Sequence, residues 1–463
     1  MSTLDWLLIV LVLPVTLILF WGIHYRPHWL LPLAIFSGLL SAIDLFLQGF
    51  RWLLLPVYSI SFLSLLIISS LVLLLPRFRL PISTGPYAVG TVTRYWVDRA
   101  RENRELMVQF WYPAASSSQV PFACYMQHAE VLGKAFGIPG FLFRYLNSIP
   151  TQSRCHALLA PDQPTYPILL FSHGLNGIRT QNTFQCQELA SHGYIVVAVD
   201  HTHYAAGTTF PDGRVSLFSL KHLGMTPEMM ARVNSDPAMF TAFYSGLERA
   251  LSVVVADQRF VLDQLAQLYL TDPEQIFTGR LNLDHVGAFG HSQGGATALS
   301  LCSVDPRCKA ALNLDGPILG SIQQTGSPRP IFFLGSSNKT SFPDAKVQAL
   351  LHDITAGALD RTFAASRGDW YHMELTQSGH FNFCDAPLIF PRTFGRVPTI
   401  LGPIGIQGLR VINAYTLAFF EQYLKDHPSP LLQGSNSKYP EMRWIRSHGW
   451  EKASSREKTE EKI

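Results

Sequence analysis

Charge is scarce in this chain. Asp, Glu, Lys and Arg make up 15% of its 463 residues, against about a quarter in ordinary soluble domains. The shortage is concentrated at the start. Residues 1–80 carry only Asp5, Arg26, Asp44, Arg51, Arg77 and Arg79, and the first lysine is Lys134. A net charge of +3 says little about partners, and with no lysine-arginine run no nucleic-acid partner is expected. The six cysteines (Cys124, Cys155, Cys186, Cys302, Cys308, Cys384) form no C-x-x-C pair and no metal-ligand spacing, so free thiols are expected. His201-Thr202-His203 has the spacing of a metal pair on a strand, but no third ligand accompanies it. No metal and no cofactor are expected, and no internal repeat is present.

The missing charge leaves three long uncharged stretches, Trp6–Tyr25, Pro27–Ile43 and Trp52–Pro76. About 20 mostly apolar residues span a bilayer. The first and third stretches meet that length, and the second reaches it by continuing past Asp44 through Leu45, Phe46 and Leu47. Trp6, Trp21, Tyr25, Trp29 and Trp52 stand near the ends, as an aromatic belt would. No basic residue precedes the first run and no small-residue cleavage site follows it, which argues against a cleaved signal peptide. The expectation is an integral membrane protein with three transmembrane helices near 6–25, 29–48 and 52–76. Arg26, Arg77 and Arg79 would share one side, so the positive-inside rule puts the catalytic domain on the cytoplasmic side.

From Gly85 onward, short β-rich runs alternate with helical patterns. Strands are expected at Tyr166–Phe171, Tyr194–Val199, His285–Phe289, Lys309–Leu314, Pro330–Leu334 and Trp370–Leu375. Helices are expected at Thr180–Ser191, Gly246–Leu268, Gly294–Cys302, Pro343–Thr355 and Gly405–Lys425. Such alternation implies a mostly parallel sheet covered on both faces. Tyr87–Trp96 and Glu105–Trp111 read as an antiparallel hairpin at the sheet edge. The plan is an anchor at 1–81, a catalytic domain at 82–430 with a lid-like segment 122–161, and a polar tail at 431–463.

The chemistry centres on Gly290-His291-Ser292-Gln293-Gly294. Gly-x-Ser-x-Gly is weak alone, but here it follows an apolar strand and opens a helix, the setting of a nucleophile elbow. A serine hydroxyl needs a base and an orienting carboxylate, which follow in the order acid, then histidine in this α/β-hydrolase fold. Of the later histidines (His352, His372, His380, His427, His448), His380 lies in a small-residue loop just past the last strand. Two acids compete. Asp315 leaves a strand directly, whereas Asp344 sits nine residues beyond its own strand, so Asp315 is favoured. The strand ending in Ser172-His173-Gly174-Leu175 suggests an oxyanion loop, with the N–H of Leu175 and that of Gln293 as donors. His173 is expected to be structural, as is Asp200.

These motifs, taken in order, resemble the platelet-activating factor acetylhydrolases in their plasma and intracellular type II forms. The resemblance runs from Gly85 to Lys425. It rests on Gly85-Pro86-Tyr87-Ala88-Val89-Gly90, Trp111-Tyr112-Pro113, Phe171 to Leu175 with Arg179-Thr180, Leu189 to Tyr194, Gly290 to Thr297, and Leu314-Asp315-Gly316. It implies that Ser292, Asp315 and His380 match the family triad, and that short or oxidised sn-2 acyl chains of phospholipids are hydrolysed without a metal. Two positions depart from the pattern, because Gln293 stands where the family usually has phenylalanine and Gly316 where it has Ala-Trp. The three N-terminal spans are not a family feature. The expected function is therefore a serine ester hydrolase acting on lipid esters. A broad carboxylesterase, lipase or polyester hydrolase is the enzyme alternative. A degenerate, membrane-tethered binding module is the non-enzymatic one.

Overall fold

The computed structural model describes residues 59–60, 62–66, 78–116, 120–338, 344–389 and 401–449. The stretches 6–25, 29–48 and most of 52–76 lie outside the described residues. Among those described, no helix is long and apolar enough to cross a membrane.

The described residues build one eleven-stranded sheet and a small hairpin. The strands are β1 (Ala88–Asp98), β2 (Arg104–Ala114), β3 (Phe122–Cys124), β4 (Pro150–Cys155), β5 (Tyr166–Ser172), β6 (Ile195–Asp200), β7 (Gly207–Thr209), β8 (Val215–Leu217), β9 (Leu281–His291), β10 (Cys308–Leu314), β11 (Ile331–Ser336), β12 (Trp370–Leu375) and β13 (Met442–His448). The sheet order is β13-β12-β11-β10-β9-β5-β6-β2-β1-β4-β3, and β7 pairs with β8 alone. From β6 through β12 every pairing is parallel.

The parallel strands are short apolar runs because both of their faces are covered. Every residue of β5 and β6 is buried. Alternate side chains enter opposite cores, as a period of two requires. Ile168, Leu170, Ile195 and Val197 join one cluster, while Leu169, Phe171, Val196 and Ala198 join the other. Helices α2 (Pro237–Leu270) and α3 (Gln293–Val304) cover the first face through Val254, Val261, Leu265, Ala296 and Leu299. Helices α1 (Thr183–Ser191) and α5 (Ile406–Leu424) cover the second through Phe184, Leu189, Phe419 and Phe420. Helix α4 (Ala345–His352) follows β11.

Several expectations need correction. The β1–β2 hairpin is antiparallel as read, but it is not the edge, because β4 pairs with β1 and β3 with β4. The segment 122–161, read as a lid, thus supplies the sheet's last two strands. Its β4, Pro-Thr-Gln-Ser-Arg-Cys, buries Thr151 and Ser153 instead of an apolar run, which hid it from pattern reading. Tyr125, Ala129, Tyr145 and Leu146 of the same segment are core residues. The polar tail begins later than 431, since β13 pairs antiparallel with β12, and 450–463 lie outside the described residues. The domain also starts before 82. Phe78 and Leu80 are buried, and the Phe78 ring meets Tyr125 edge-on at 5.1 Å. Helix α2 starts at Pro237, well ahead of Gly246, because the Asp236 carboxylate caps it by accepting from the N–H groups of Ala238 and Met239, and proline suits the first turn.

Strand β5 is the point where the chain reverses direction across the sheet, running out to β6 and later returning to β9. In open parallel sheets a crevice forms at the carboxyl ends of such strands. Leu175, Ser292, Asp315 and His380 all follow the carboxyl ends of these parallel strands.

Candidate active site

Strand β9 ends at His291, and Ser292 turns the chain into α3 with φ 57° and ψ −125°. This left-handed conformation is costly for a residue with a Cβ and persists only where the surroundings enforce it. Close approach of backbone enforces it here. A Cβ on Gly294 would lie 1.9 Å from Ser172 O, and one on Gly290 would lie 2.4 Å from the Gly294 carbonyl. The Ser292 N–H donates to Leu314 O at 2.9 Å, tying the turn to the end of β10.

Asp315 follows that carbonyl, with φ 54°. Its N–H donates to Leu334 O at 2.9 Å. Its Oδ1 accepts from the Ser336 N–H at 2.7 Å, and its Oδ2 faces His380 Nδ1 at 2.8 Å. The side chain of Asn313 braces the turn, its Oδ1 accepting from the Gly316 N–H at 2.7 Å. A Cβ on Gly316 would lie 2.0 Å from Ser292 O, so the elbow and the acid turn pack backbone to backbone. His380 opens a short helical turn after β12. Its side chain remains about one-third exposed and that of Asp315 only 12%, so the imidazole is reachable while its partner is shielded. The structure thus brings Asp315 to His380 and sets both loops beside Ser292.

Asp344 is elsewhere engaged. It caps α4, accepting from the N–H groups of Lys346 and Val347 at 2.9 Å each. His372 lies within β12 and His448 within β13, His352 ends α4, and His427 bonds Glu421.

The loop after β5 is fixed from below. Ser172 pairs in register with Gly290, so Gly174 meets the nucleophile directly, and a Cβ there would be 3.1 Å from Ser292 Cβ. His173 is buried. Its Nδ1–H donates to Gly174 O at 2.7 Å and its Nε2 accepts from the His201 N–H at 3.1 Å. Burial, aided by the neighbouring His201, lowers its pKa to about 4, so the ring is neutral at working pH. Gly174 O also accepts from the Gly177 N–H at 2.8 Å. In a trans peptide the N–H of Leu175 points opposite to that carbonyl. Among the described residues, neither the Leu175 N–H nor the Gln293 N–H has a protein acceptor. Two free donors beside a serine are what an oxyanion hole requires.

His201 and His203 face different partners. His201 Nδ1 meets Asp257 Oδ2 at 3.0 Å, and its Nε2 meets Ser172 Oγ at 3.2 Å. Burial opposes ionisation of Asp257, but hydrogen bonds from Arg104 and His201 hold it below the usual carboxylate range. His203 contacts Ser216 Oγ at 3.0 Å and stacks on His222. The buried Ser172–His201–Asp257 set copies a triad in outline yet braces β5 from within, away from solvent.

Sequence reading missed the side chains that tie these loops together. The histidine inside the elbow motif, His291, is one, and Gln181 is another. Asp385 is a third. Buried behind the His380 turn, it accepts from the Tyr125 hydroxyl at 2.8 Å and from the Thr183 N–H at 2.9 Å, at the start of α1.

A mostly parallel sheet carrying a serine elbow, with an aspartate and a histidine paired from later strand-end loops, defines the serine hydrolases of the α/β-hydrolase fold. Among solved structures, a ferulic acid esterase from Streptomyces cinnamoneus matches with a TM-score of 0.64 and 28% identity, over 80% of this chain and 100% of that one. The model of the family "Platelet-activating factor acetylhydrolase, isoform II" matches residues 74–215 and 265–436, and the chain belongs to that family. A platelet-activating factor acetylhydrolase of Cavia porcellus is 25% identical over 368 residues, 74% of this chain and 78% of that protein. One from Canis lupus familiaris is 26% identical over 363 residues, 75% and 77%.

Proposed function

We propose that Ser292 is the nucleophile, His380 the general base and Asp315 the orienting acid of an acyl-enzyme cycle. The protein is a carboxylic ester hydrolase acting on lipid esters, as its family membership and esterase-like fold indicate. The observation that carries the residue roles is the 2.8 Å contact of His380 Nδ1 with Asp315 Oδ2, on loops packed against the Ser292 elbow. With Nδ1–H held by the carboxylate, Nε2 is the unprotonated nitrogen and takes the Ser292 proton as Oγ bonds to the ester carbon. The carbonyl oxygen becomes an oxyanion received by the N–H groups of Leu175 and Gln293. His380 then passes the proton to the departing alcohol, and water repeats the sequence to release the acid.

Phospholipids with short or oxidised sn-2 chains are the proposed substrates, on the strength of the motifs shared with the acetylhydrolases. A second reading, a broader esterase, is favoured by one observation. Gln293 is only 4% exposed, and its Nε2 has no protein partner among the described residues. A polar donor beside the elbow suits a different acyl group from the one a phenylalanine would line. The proposed setting is a membrane, with the catalytic domain on the cytoplasmic face. Beyond the apolar runs, the helical residues 59–60 and 62–66 expose Ile60, Phe62, Leu63 and Leu66, as a lipid-facing helix would.

The test is Ser292→Ala together with a substrate panel. The variant should lose both ester hydrolysis and covalent labelling by a fluorophosphonate, and more than about a tenth of wild-type activity would overturn the assignment. An acetylated ether phospholipid, an oxidised-chain phospholipid, a long-chain triacylglycerol and a feruloyl ester, assayed side by side, separate the two readings.

A further inference from the structure

Four loops form the candidate site, and a hydrogen-bonded chain of side chains runs between three of them, the loop after β5, the elbow and the His380 turn. Gln181 lies just after the β5 loop. Its Oε1 accepts from the Gly174 N–H at 3.1 Å, and its Nε2 is 2.6 Å from His291 Nδ1. His291 Nε2 is 2.9 Å from His380 O, and the two imidazoles lie 4.5 Å apart between centroids.

Donor and acceptor roles in this chain are fixed by its two ends. Gly174 N–H can only donate, so the Gln181 oxygen faces it and the Gln181 amide nitrogen faces His291. His380 O can only accept, so His291 carries its proton on Nε2 and accepts on Nδ1. No other arrangement satisfies every member. Glycine at 177 makes room for it, since a Cβ there would sit 2.1 Å from Gln181 Oε1. The Gln181 carbonyl in turn accepts from the Asp385 N–H at 2.9 Å, behind the His380 turn.

The groups facing His291 are Gln181, His380, Asp315 and the ring of Phe381. Burial, and then the proximity of His380, lower the His291 pKa to about 3. The ring therefore stays uncharged, and no second cation opposes the imidazolium that forms on His380 during turnover.

We propose that Gln181 and His291 are positioning residues, forming one tie that holds the His380 turn in register with the oxyanion loop. The inference rests on the triad reading above. Its cost on failure is geometric, because a displacement of about an ångström at a reacting centre slows the chemical step severalfold to a hundredfold, while binding contacts elsewhere are untouched.

The test uses the full-length protein and counts active sites by stoichiometric labelling with a fluorophosphonate, so that kcat on a soluble acetyl ester is expressed per labelled site. A purely structural role would reduce the number of sites and leave kcat per site unchanged. Gln181→Met, which fills the space but bonds neither end, should lower kcat per site about tenfold or more with KM altered less than threefold. His291→Met should do the same. His291→Gln, which keeps one donor and one acceptor, should retain at least a third of kcat. The double variant Gln181→Met/His291→Met should lose no more than the worse single one, because a chain broken once is already broken. A kcat per site within threefold of wild type for Gln181→Met, or losses that multiply in the double variant, would overturn the proposal. If the wild-type protein itself takes up no label, it is the Ser292 assignment that fails.

Discussion

Replacing Asp315 with asparagine changes one atom, and the structure says what that atom does. The carboxylate uses its two oxygens on different donors, Oδ1 for the Ser336 N–H and Oδ2 for His380 Nδ1–H. An amide has one oxygen. The backbone N–H of Ser336 cannot become an acceptor, so the amide oxygen must turn to it and the NH2 group to His380. Nδ1 must then be the bare nitrogen, which puts the ring proton on Nε2, the nitrogen proposed to take the Ser292 proton. The imidazole becomes a donor toward Ser292 where a base is needed. In a comparable triad this tautomer error costs about 10⁴ in kcat, or roughly 5.5 kcal/mol of barrier at 1.36 kcal/mol per decade. Asp315→Asn should therefore fold and bind ester with near-normal KM, yet hydrolyse it about 10⁴-fold more slowly. Asp344→Asn should stay within about twofold in kcat and within a few tenths of a kcal/mol in stability, since asparagine caps a helix as well as aspartate. Steady-state kinetics on a soluble ester, with thermal melts on the same samples, decide the matter. Full activity in Asp315→Asn, or collapse in Asp344→Asn, would refute the reasoning.

Stability should fall in mild acid. His173 and His291 are held neutral with pKa values lowered to about 4 and about 3, so their contribution is complete above the unfolded value of about 6.5 and is lost as pH drops below it. Each adds a slope of about 1.4 kcal/mol per pH unit, so urea titrations at pH 7.5 and 5.5 should differ by about 3 kcal/mol. A flat profile would show that these rings are not buried neutral. Gly294→Ala should cost about 3 kcal/mol or more, because the new methyl meets the Ser172 carbonyl and backbone cannot step aside. Wild-type stability in a denaturant melt would contradict the close packing described. The full chain should remain with membranes after alkaline carbonate extraction. A chain beginning at Phe78, which retains the Phe78–Tyr125 contact, should hydrolyse a soluble ester with kcat within about threefold. A folded but inactive product would mean that the N-terminal residues belong to the site.

The parallel strands were legible in the sequence because each is a continuous apolar run ending at a polar or glycine residue, as at Phe171-Ser172 and Leu314-Asp315. That periodicity places chain segments but not side-chain direction. It found the loops that bring Asp315 to His380, while Gln181 and His291 read only as a helix start and the variable residue of a motif. Their pairing joins residues more than a hundred positions apart, and no local pattern encodes it. Strand β4 was lost for the opposite reason. Its buried positions are threonine and serine, satisfied by Ala123 O and by the Gln187 amide, so burial leaves no hydrophobic signature. Pro237 marked the true start of α2, and the apolar pattern beginning at Gly246 outweighed it.

Among the described residues the sheet ends in β3 and β13, and a sheet edge left open invites another copy of itself to add a strand. At one end, β3 is three residues long, too short to template a partner, and Arg154 lies over its exposed Phe122 ring at 4.6 Å. At the other end, β13 carries Arg443 paired with Glu374, and Arg446 laid across the rings of Phe363 and Trp370 at 5.3 and 5.9 Å. An incoming strand would have to strip water from these guanidinium groups and break ion pairs before gaining its first backbone bond. The edges are thus guarded by brevity on one side and charge on the other, and the eleven strands resist edge-to-edge aggregation.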